Sequence, residues 1–224
     1  MRTWIWTPLA ATLVLSVALT GTAIAGGNPN AVLALHIGTQ TAKDPCAVSL
    51  PAGDCSGYTT STSLSAGFFN IYLTVANYDS MGIAGAQFGI NYAPNPGEGC
   101  DVDGWTSCAD FQFAQNEWPA AGSGNLVTWE YSLNCQGDPA TFAPILVGVF
   151  QVTTYGSDIF SIIPRPVDGR AKVADCTAAE DDITDQVPSR LASASFGGTG
   201  YNPCSAIVPV KPTTWGALKR MFEN

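Results

Sequence analysis

Apolar and polar residues alternate with period two through much of the chain from Ala31 onward. Phe68–Val75 places Phe69, Ile71, Leu73 and Val75 on one side and Asn70 and Thr74 on the other, the pattern of a half-buried antiparallel strand. Ile83–Tyr92 repeats it, with Ala84, Ala86, Phe88, Ile90 and Tyr92 facing one way and the small or polar Gly85, Gln87, Gly89 and Asn91 the other. Ala31–Ile37 is a short apolar run closed by Gly38, and Phe111–Phe113 is a shorter one. Leu126–Leu133 predicts a strand whose Val127, Trp129, Tyr131 and Leu133 share the core side. Pro144–Val152 is the most apolar stretch of the body and reads as a central strand, with Asp158–Ile163 as its neighbour. Ala171–Val173 reads as an edge strand, Ala178–Asp185 as one acidic helical turn, and Leu191–Phe196 as the last strand. Cys46–Ser65 and Cys100–Cys108 read as disulfide-tied loops. Short strands at short spacing, with turn residues between them, predict an all-β antiparallel sandwich around one core; uneven spacing argues against a closed barrel.

The two ends depart from this pattern. Residues 1–25 begin with Arg2, continue through an apolar Leu9–Leu19, and finish with Ala23-Ile-Ala25, as a secretory signal peptide cut after Ala25 does. Pro8 and the short apolar run argue against a membrane anchor, so no integral span is expected after cleavage, and no cysteine near the cut offers a lipid acceptor. The expected organisation is a signal peptide over 1–25, a sandwich over 26–206, a Pro-rich linker over 207–212 and an amphipathic helix over 213–224. Trp215, Leu218 and Phe222 recur along that helix at three- and four-residue steps, and Lys219 and Arg220 lie near its C-terminal end, where the helix dipole favours cations. It reads as a docking or sorting element, or as a helix that packs back on the sandwich.

Charge narrows the partners. The formal net charge is −9, and between Gly26 and Val208 there are 17 acidic residues against 5 basic ones. Such a body repels phosphate backbones, which excludes nucleic acid. Seven cysteines in an exported chain imply three disulfides and one residue left over. Local spacing favours Cys46–Cys55 and Cys100–Cys108, and Cys176–Cys204 would tie down the late segment, leaving Cys135. No CxxC pair exists and His36 is the only histidine, so a thiolate metal site is not expected.

Catalytic chemistry is thinly represented. His36 sits in an apolar strand, on the side opposite Leu35, without a Gly-x-Ser-x-Gly elbow to make a triad. Glu98, Asp101, Asp103, Asp110, Glu117 and Glu130 could furnish the two carboxylates of a glycosidase, but nothing selects a pair. Asp101 and Asp103 resemble the opening of a calcium loop, and Glu180, Asp181, Asp182 and Asp185 form a second oxygen-rich spot; neither has EF-hand spacing, and a solvated acidic surface is the plainer reading. Trp105, Trp118, Tyr58 and Tyr201 fall in Gly- or Pro-flanked segments and are candidates for stacking on a glycan or anchoring a protein.

Ile71-Tyr-Leu-Thr-Val-Ala-Asn77 followed by Gly82-Ile-Ala-Gly-Ala-Gln-Phe-Gly-Ile-Asn-Tyr-Ala-Pro94 resembles the early strands of cohesin-type modules, and Val147-Gly-Val-Phe-Gln-Val152 resembles a late apolar strand of the same fold. Ala93 stands where that family usually has Asp, which leaves the contacts of that loop unassigned. The chain also resembles a group of exported bacterial proteins that share Ala84–Gly89, Arg165–Gly169, Lys172–Cys176 and a terminal Thr-Trp-Gly-x-x-Lys helix; this resemblance implies export and carries no activity. The expectation is therefore a disulfide-stapled sandwich of cohesin or immunoglobulin-like type with a short C-terminal helix. It would be secreted or displayed at the cell surface and would bind or scaffold a protein without catalysis. A carbohydrate-binding module is the alternative, and a small secreted hydrolase is less in keeping with the residues.

Overall fold

A computed structural model describes residues 26–39, 43–51, 53–63, 66–115 and 117–206. The expected signal peptide, linker and C-terminal helix lie outside the described residues. Twelve strands are described: β1 (Val32–Thr39), β2 (Ser61–Thr62), β3 (Gly67–Ala76), β4 (Gly85–Asn91), β5 (Cys100–Ser107), β6 (Phe111–Gln112), β7 (Gly124–Thr128), β8 (Ile145–Thr154), β9 (Asp158–Ile163), β10 (Lys172–Ala174), β11 (Glu180–Asp182) and β12 (Ser193–Phe196). A single helical turn, α1 (Pro203–Ala206), follows. They form two open sheets, one of four strands in the order β1-β3-β8-β5 and one of eight built around β4. β4 carries β7 and then β6 on one edge, and β10 and β9 on the other; β9 continues to β12 and β2. Every strand pair is antiparallel except β2 with β12.

The core lies between the sheets. Leu33, Leu35 and Ile37 of β1, Ile71, Leu73 and Val75 of β3, and Phe150 and Val152 of β8 meet Ala86, Phe88 and Ile90 of β4 and Phe160 and Ile162 of β9. These are the positions that alternation marks as inward, and burying each large side chain contributes about 1.5–3 kcal/mol before chain entropy is subtracted. An aromatic chain runs through the centre: Trp105 lies 4.4 Å from Phe150 in a tilted contact, Phe150 lies 4.9 Å from Phe160, and Trp118 packs 5.7 Å from Phe88. Gly148 is essential to it, because a Cβ there would run into the Trp105 ring.

Several local expectations are corrected. Cys100–Cys108 is not a loop: its first eight residues are β5, paired with β8. β9 is not a neighbour of β8; it belongs to the opposite sheet, between β4 and β12. β10 is flanked on both sides, by β4 and β11, so it is not an edge, and the acidic segment forms strand β11 in place of a helical turn. β7 stops at Thr128, and the chain turns at 131–133, which carries Tyr131 and Leu133 to the surface while Trp129 stays in the core.

The outward face of the four-stranded sheet was expected to be solvated. Instead Asn70, Tyr72, Thr74 and Val149 are buried there. The segment between β1 and β2 crosses this face as a strap. Its Cys55 and Tyr58, with Leu50 and Cys204, pack on Val32, Ala34 and Ala76 as a second small apolar cluster. Burial pushes the Tyr58 phenol up to about 12, against a smaller lowering by the Thr74 hydroxyl, so it stays protonated beneath the strap.

The disulfides explain how the strap is held. All three expected pairings are corrected: the bonds are Cys46–Cys108, Cys55–Cys204 and Cys135–Cys176, and the free cysteine is Cys100 rather than Cys135. Cys46–Cys108 fixes the strap at the end of β5, and Cys55–Cys204 fixes it to α1 beside β1. Cys135–Cys176 joins the 130s turn to the loop between β10 and β11. Cys100 is buried on the core side of β5, its Sγ 3.0 Å from Oδ2 of Asp158. Burial and that carboxylate push its thiol far up and leave it inert as a nucleophile.

Candidate functional site

Among the described residues, four exposed large apolar side chains lie on β6 and the turn beside it. After Cys108, Asp110 turns the chain into β6, where Phe111 pairs with Thr128 and Gln112 with Val127. Gln112 is itself exposed, and its Oε1 accepts from Trp105 Nε1 at 3.0 Å and from Asn125 Nδ2 at 3.1 Å. Phe111 and Phe113 are each 56% exposed. Tyr131 and Leu133, 56% and 88% exposed, stand on the adjoining turn.

Asp110 joins the two segments. Its carboxylate accepts from the Glu130 N–H at 2.9 Å and from Asn134 Nδ2 at 2.8 and 3.0 Å. Those two donors hold the Asp110 carboxyl below the ordinary carboxylate range. Within the turn, Glu130 accepts from the Leu133 N–H at 2.6 Å and from the Ser132 hydroxyl. From below, the buried Trp129 donates Nε1–H to the Cys108 carbonyl at 3.3 Å. Arg165 reaches across the sheet to the Phe113 carbonyl at 3.4 Å. With Cys46–Cys108 and Cys135–Cys176 at its flanks, the ledge of four exposed side chains rests on a fixed backbone. Alternation extended past Thr128 assigns Tyr131 and Leu133 to the core, and so conceals this ledge from the sequence. The Ser132 and Asn134 of the turn were the available signal that the strand had ended.

The aromatic candidates lie elsewhere. Trp105 and Trp118 pack against the core, their rings 5.5 Å apart. Tyr58 is buried beneath the strap. Trp105, on β5, and Trp118, 5.7 Å from Phe88, are partly buried rather than free loop rings. Tyr201 is half-buried and spends its hydroxyl on the Ser189 carbonyl at 2.9 Å. The four do not converge on one surface.

The candidate acid–base groups are likewise separately engaged. His36 accepts the Thr59 N–H at Nδ1, 3.0 Å away, and lies between the rings of Tyr58 and Tyr72; burial lowers its pKa. Glu98 accepts from Asn95, Asp101 from the Gly97 N–H, and Asp103, at a bulge in β5, from the Thr153 hydroxyl. Glu117 lies in the turn that precedes Pro119. Among the described residues no three His, Cys, Asp or Glu side chains gather to hold a metal ion. Glu180 and Asp182 form ion pairs with Lys172 and Arg170, each at 2.8 Å.

No protein-family model matches the chain, and no curated protein does. Among solved structures it is similar to cohesin modules, the family that the segments 71–94 and 147–152 resemble. The cohesin module of a Clostridium perfringens family 33 glycoside hydrolase has 12% identity and a TM-score of 0.43, over 74% of this chain and 95% of that one. The sixth cohesin of Acetivibrio cellulolyticus scaffoldin B, solved with a Cel5 dockerin, has 9% identity and a TM-score of 0.43, over 75% and 99%. A cohesin from a type I cohesin–dockerin complex of Clostridium thermocellum has 9% identity and a TM-score of 0.44, over 74% and 97%.

Proposed function

We propose that the chain is an exported, non-catalytic binding or scaffolding module, secreted or held at the cell surface, that engages a protein through the ledge of Phe111, Phe113, Tyr131 and Leu133. The observation that carries this reading is the exposure of four large apolar side chains on a backbone clamped by Asp110 and flanked by two disulfides. A pre-ordered apolar surface of this kind loses little entropy on binding, and aromatic anchors supply most of the energy of such contacts. Asp110 and Glu130 border it, so the partner it fits has an apolar centre and a basic rim. Three disulfides suit an oxidising compartment, in keeping with the signal-like N-terminus. Against hydrolysis stands the engagement of His36, Asp110 and Glu130 in structural hydrogen bonds. Glycan stacking through Trp105 and Trp118 would have to use rings that are partly buried against the core and lie edge to face with each other.

A photo-crosslinking residue placed at Phe113 of the mature protein, returned to the envelope of the producing cells, tests this reading. One protein adduct is expected; an excess of unlabelled protein should compete it away, and Phe111→Ser with Tyr131→Ser should weaken it at least about tenfold. Equal adduct formation from Val187, an exposed residue on another loop, would overturn the reading. So would glycan binding that survives the ledge substitutions.

A further inference from the structure

The first described residues occupy a narrow slot between the β10–β11 loop and the turn before β4. Gly26 donates its N–H to the Glu180 carbonyl at 3.3 Å, and Gly27 donates to Oδ2 of Asp175 at 3.1 Å. Asn28 donates its N–H to Oδ2 of Asp181 at 2.6 Å and its side-chain amide to the Gly82 carbonyl at 2.8 Å, while its Oδ1 accepts from the Asp79 N–H. Only glycine fits at the entrance: a Cβ on Gly26 would strike the Asp181 carboxylate, and one on Gly27 would stand 2.7 Å from Met81. The Gly26 nitrogen is one bond angle from that Cβ position, which places it within about 5 Å of the Asp181 carboxylate.

The slot is electrostatically unbalanced. Asp175 and Asp181 are only 2% and 7% exposed, and the ion pairs among the described residues go to Asp182 and Glu180 instead. Asp79 adds a further carboxylate beside Gly27. The nearest cation on these elements, Lys172, is engaged by Glu180. Asp175 is met by neutral donors from Gly27, Thr177 and Ala179, and Asp181 by the Asn28 N–H, so a cation that joined them would add a charge-assisted partner to carboxylates that the neutral donors alone now hold.

We propose that this slot receives the α-ammonium created when the Ala25–Gly26 bond is cut, so that processing of the precursor supplies the missing countercharge. The proposal rests on the export reading above. In the cleavage step a water molecule is consumed: the C–N bond breaks, hydroxyl goes to the Ala25 carbonyl carbon, and the Gly26 nitrogen takes up protons to become an ammonium. In the precursor that nitrogen is a neutral amide with one proton, donated to Glu180. After cleavage it carries a positive charge and three donors, facing Asp181 with Asp175, Glu180 and Asp79 close by. The mature domain is therefore more stable than the same domain with its leader attached, and the two glycines after the cut allow the new terminus to seat.

The test compares mature chains beginning at Gly26 with a free amine, with an N-acetyl group, or with Ala25 retained, each as wild type and as Asp181→Asn. At about pH 6 the free-amine form is expected to melt about 2–4 °C above the other two. The carboxylates raise the folded-state pKa of the amine above its unfolded value. The advantage is therefore complete below about pH 8 and disappears as pH rises through the raised value. Asp181→Asn should erase the gap, and Asp175→Asn should reduce it. Equal melting of the wild-type forms at about pH 6, or a gap that survives Asp181→Asn, would overturn the slot. The N-terminal mass of the exported protein is read separately: a first residue other than Gly26 would overturn the cut at Ala25–Gly26 and with it the seating of that ammonium, whereas equal melting of chains that do begin at Gly26 would overturn the slot alone.

Discussion

Replacing Cys55 and Cys204 together by alanine cuts the staple that holds the strap to α1. The two residues are 149 apart in sequence, but the other bridges shorten the loop that the bond closes. The shortest closed path runs from Cys55 back to Cys46, crosses to Cys108, continues to Cys135, crosses to Cys176 and reaches Cys204, enclosing about 65 residues. Loop-closure entropy for that length is worth about 4 kcal/mol, less than 1 kcal/mol below the value for the full separation. Lost packing of Tyr58 and Leu50 on Val32 and Ala34 would add to it. Urea unfolding of the oxidised double variant should therefore show a midpoint lower by about 1.5–4 M, given slopes of about 1–3 kcal/mol per M. Hydrogen exchange should speed up first at Ile37 and Tyr58, whose N–H groups bond within or beside the strap. A loss of less than about 1 kcal/mol, or unchanged exchange at those amides, would refute the claim that this bond secures the strap.

Other outcomes follow from single groups. Gly82→Ala should cost about 2 kcal/mol or more in urea unfolding, because φ there is +66° and a Cβ would stand 2.6 Å from the Gln136 carbonyl. Burial pushes the Asp175 carboxyl up, but the Thr177 hydroxyl and the N–H groups of Gly27, Thr177 and Ala179 outweigh it and hold the pKa below the usual value. Its contribution is thus present above about pH 4 and is lost as pH falls through the folded value, so Asp175→Asn should flatten the acid limb of stability against pH. Iodoacetamide should label no thiol in the native protein and a single one, Cys100, after unfolding without reductant; labelling of Cys135 would contradict the bonding pattern.

The parts of the fold legible in the sequence are those in which burial repeats locally. Phe69, Ile71, Leu73 and Val75 reveal β3 because successive side chains on a strand point to opposite faces, and the same rule exposes β4 and β8. What stayed hidden depends on segments distant in the chain. The polar Asn70 and Thr74 gave no sign that a strap would cover them. Nearness in sequence suggested Cys46–Cys55, yet the strap is extended and sends those two cysteines to opposite sides of the sheet. Trp105 read as a loop residue because Asp103 and Gly104 precede it, although these residues mark a bulge inside β5. The ledge was half legible: Phe111 and Phe113 alternate correctly, but their outward direction depends on β7 lying between them and β4.

The Cys55–Cys204 bond also shapes how the domain would respond to force. Tension applied to the chain beyond residue 206 reaches Cys204 and divides there. One branch follows the backbone towards β12, which is held to β9 by hydrogen bonds that could unzip one at a time. The other passes through sulfur to Cys55 and into the strap, which a second covalent bond ties to the end of β5. The backbone between Phe196 and Cys204 can lengthen only until the disulfide takes up the pull. A load from the C-terminal side is thus carried covalently into the strap and on to the end of β5, instead of falling on the strand nearest the terminus alone.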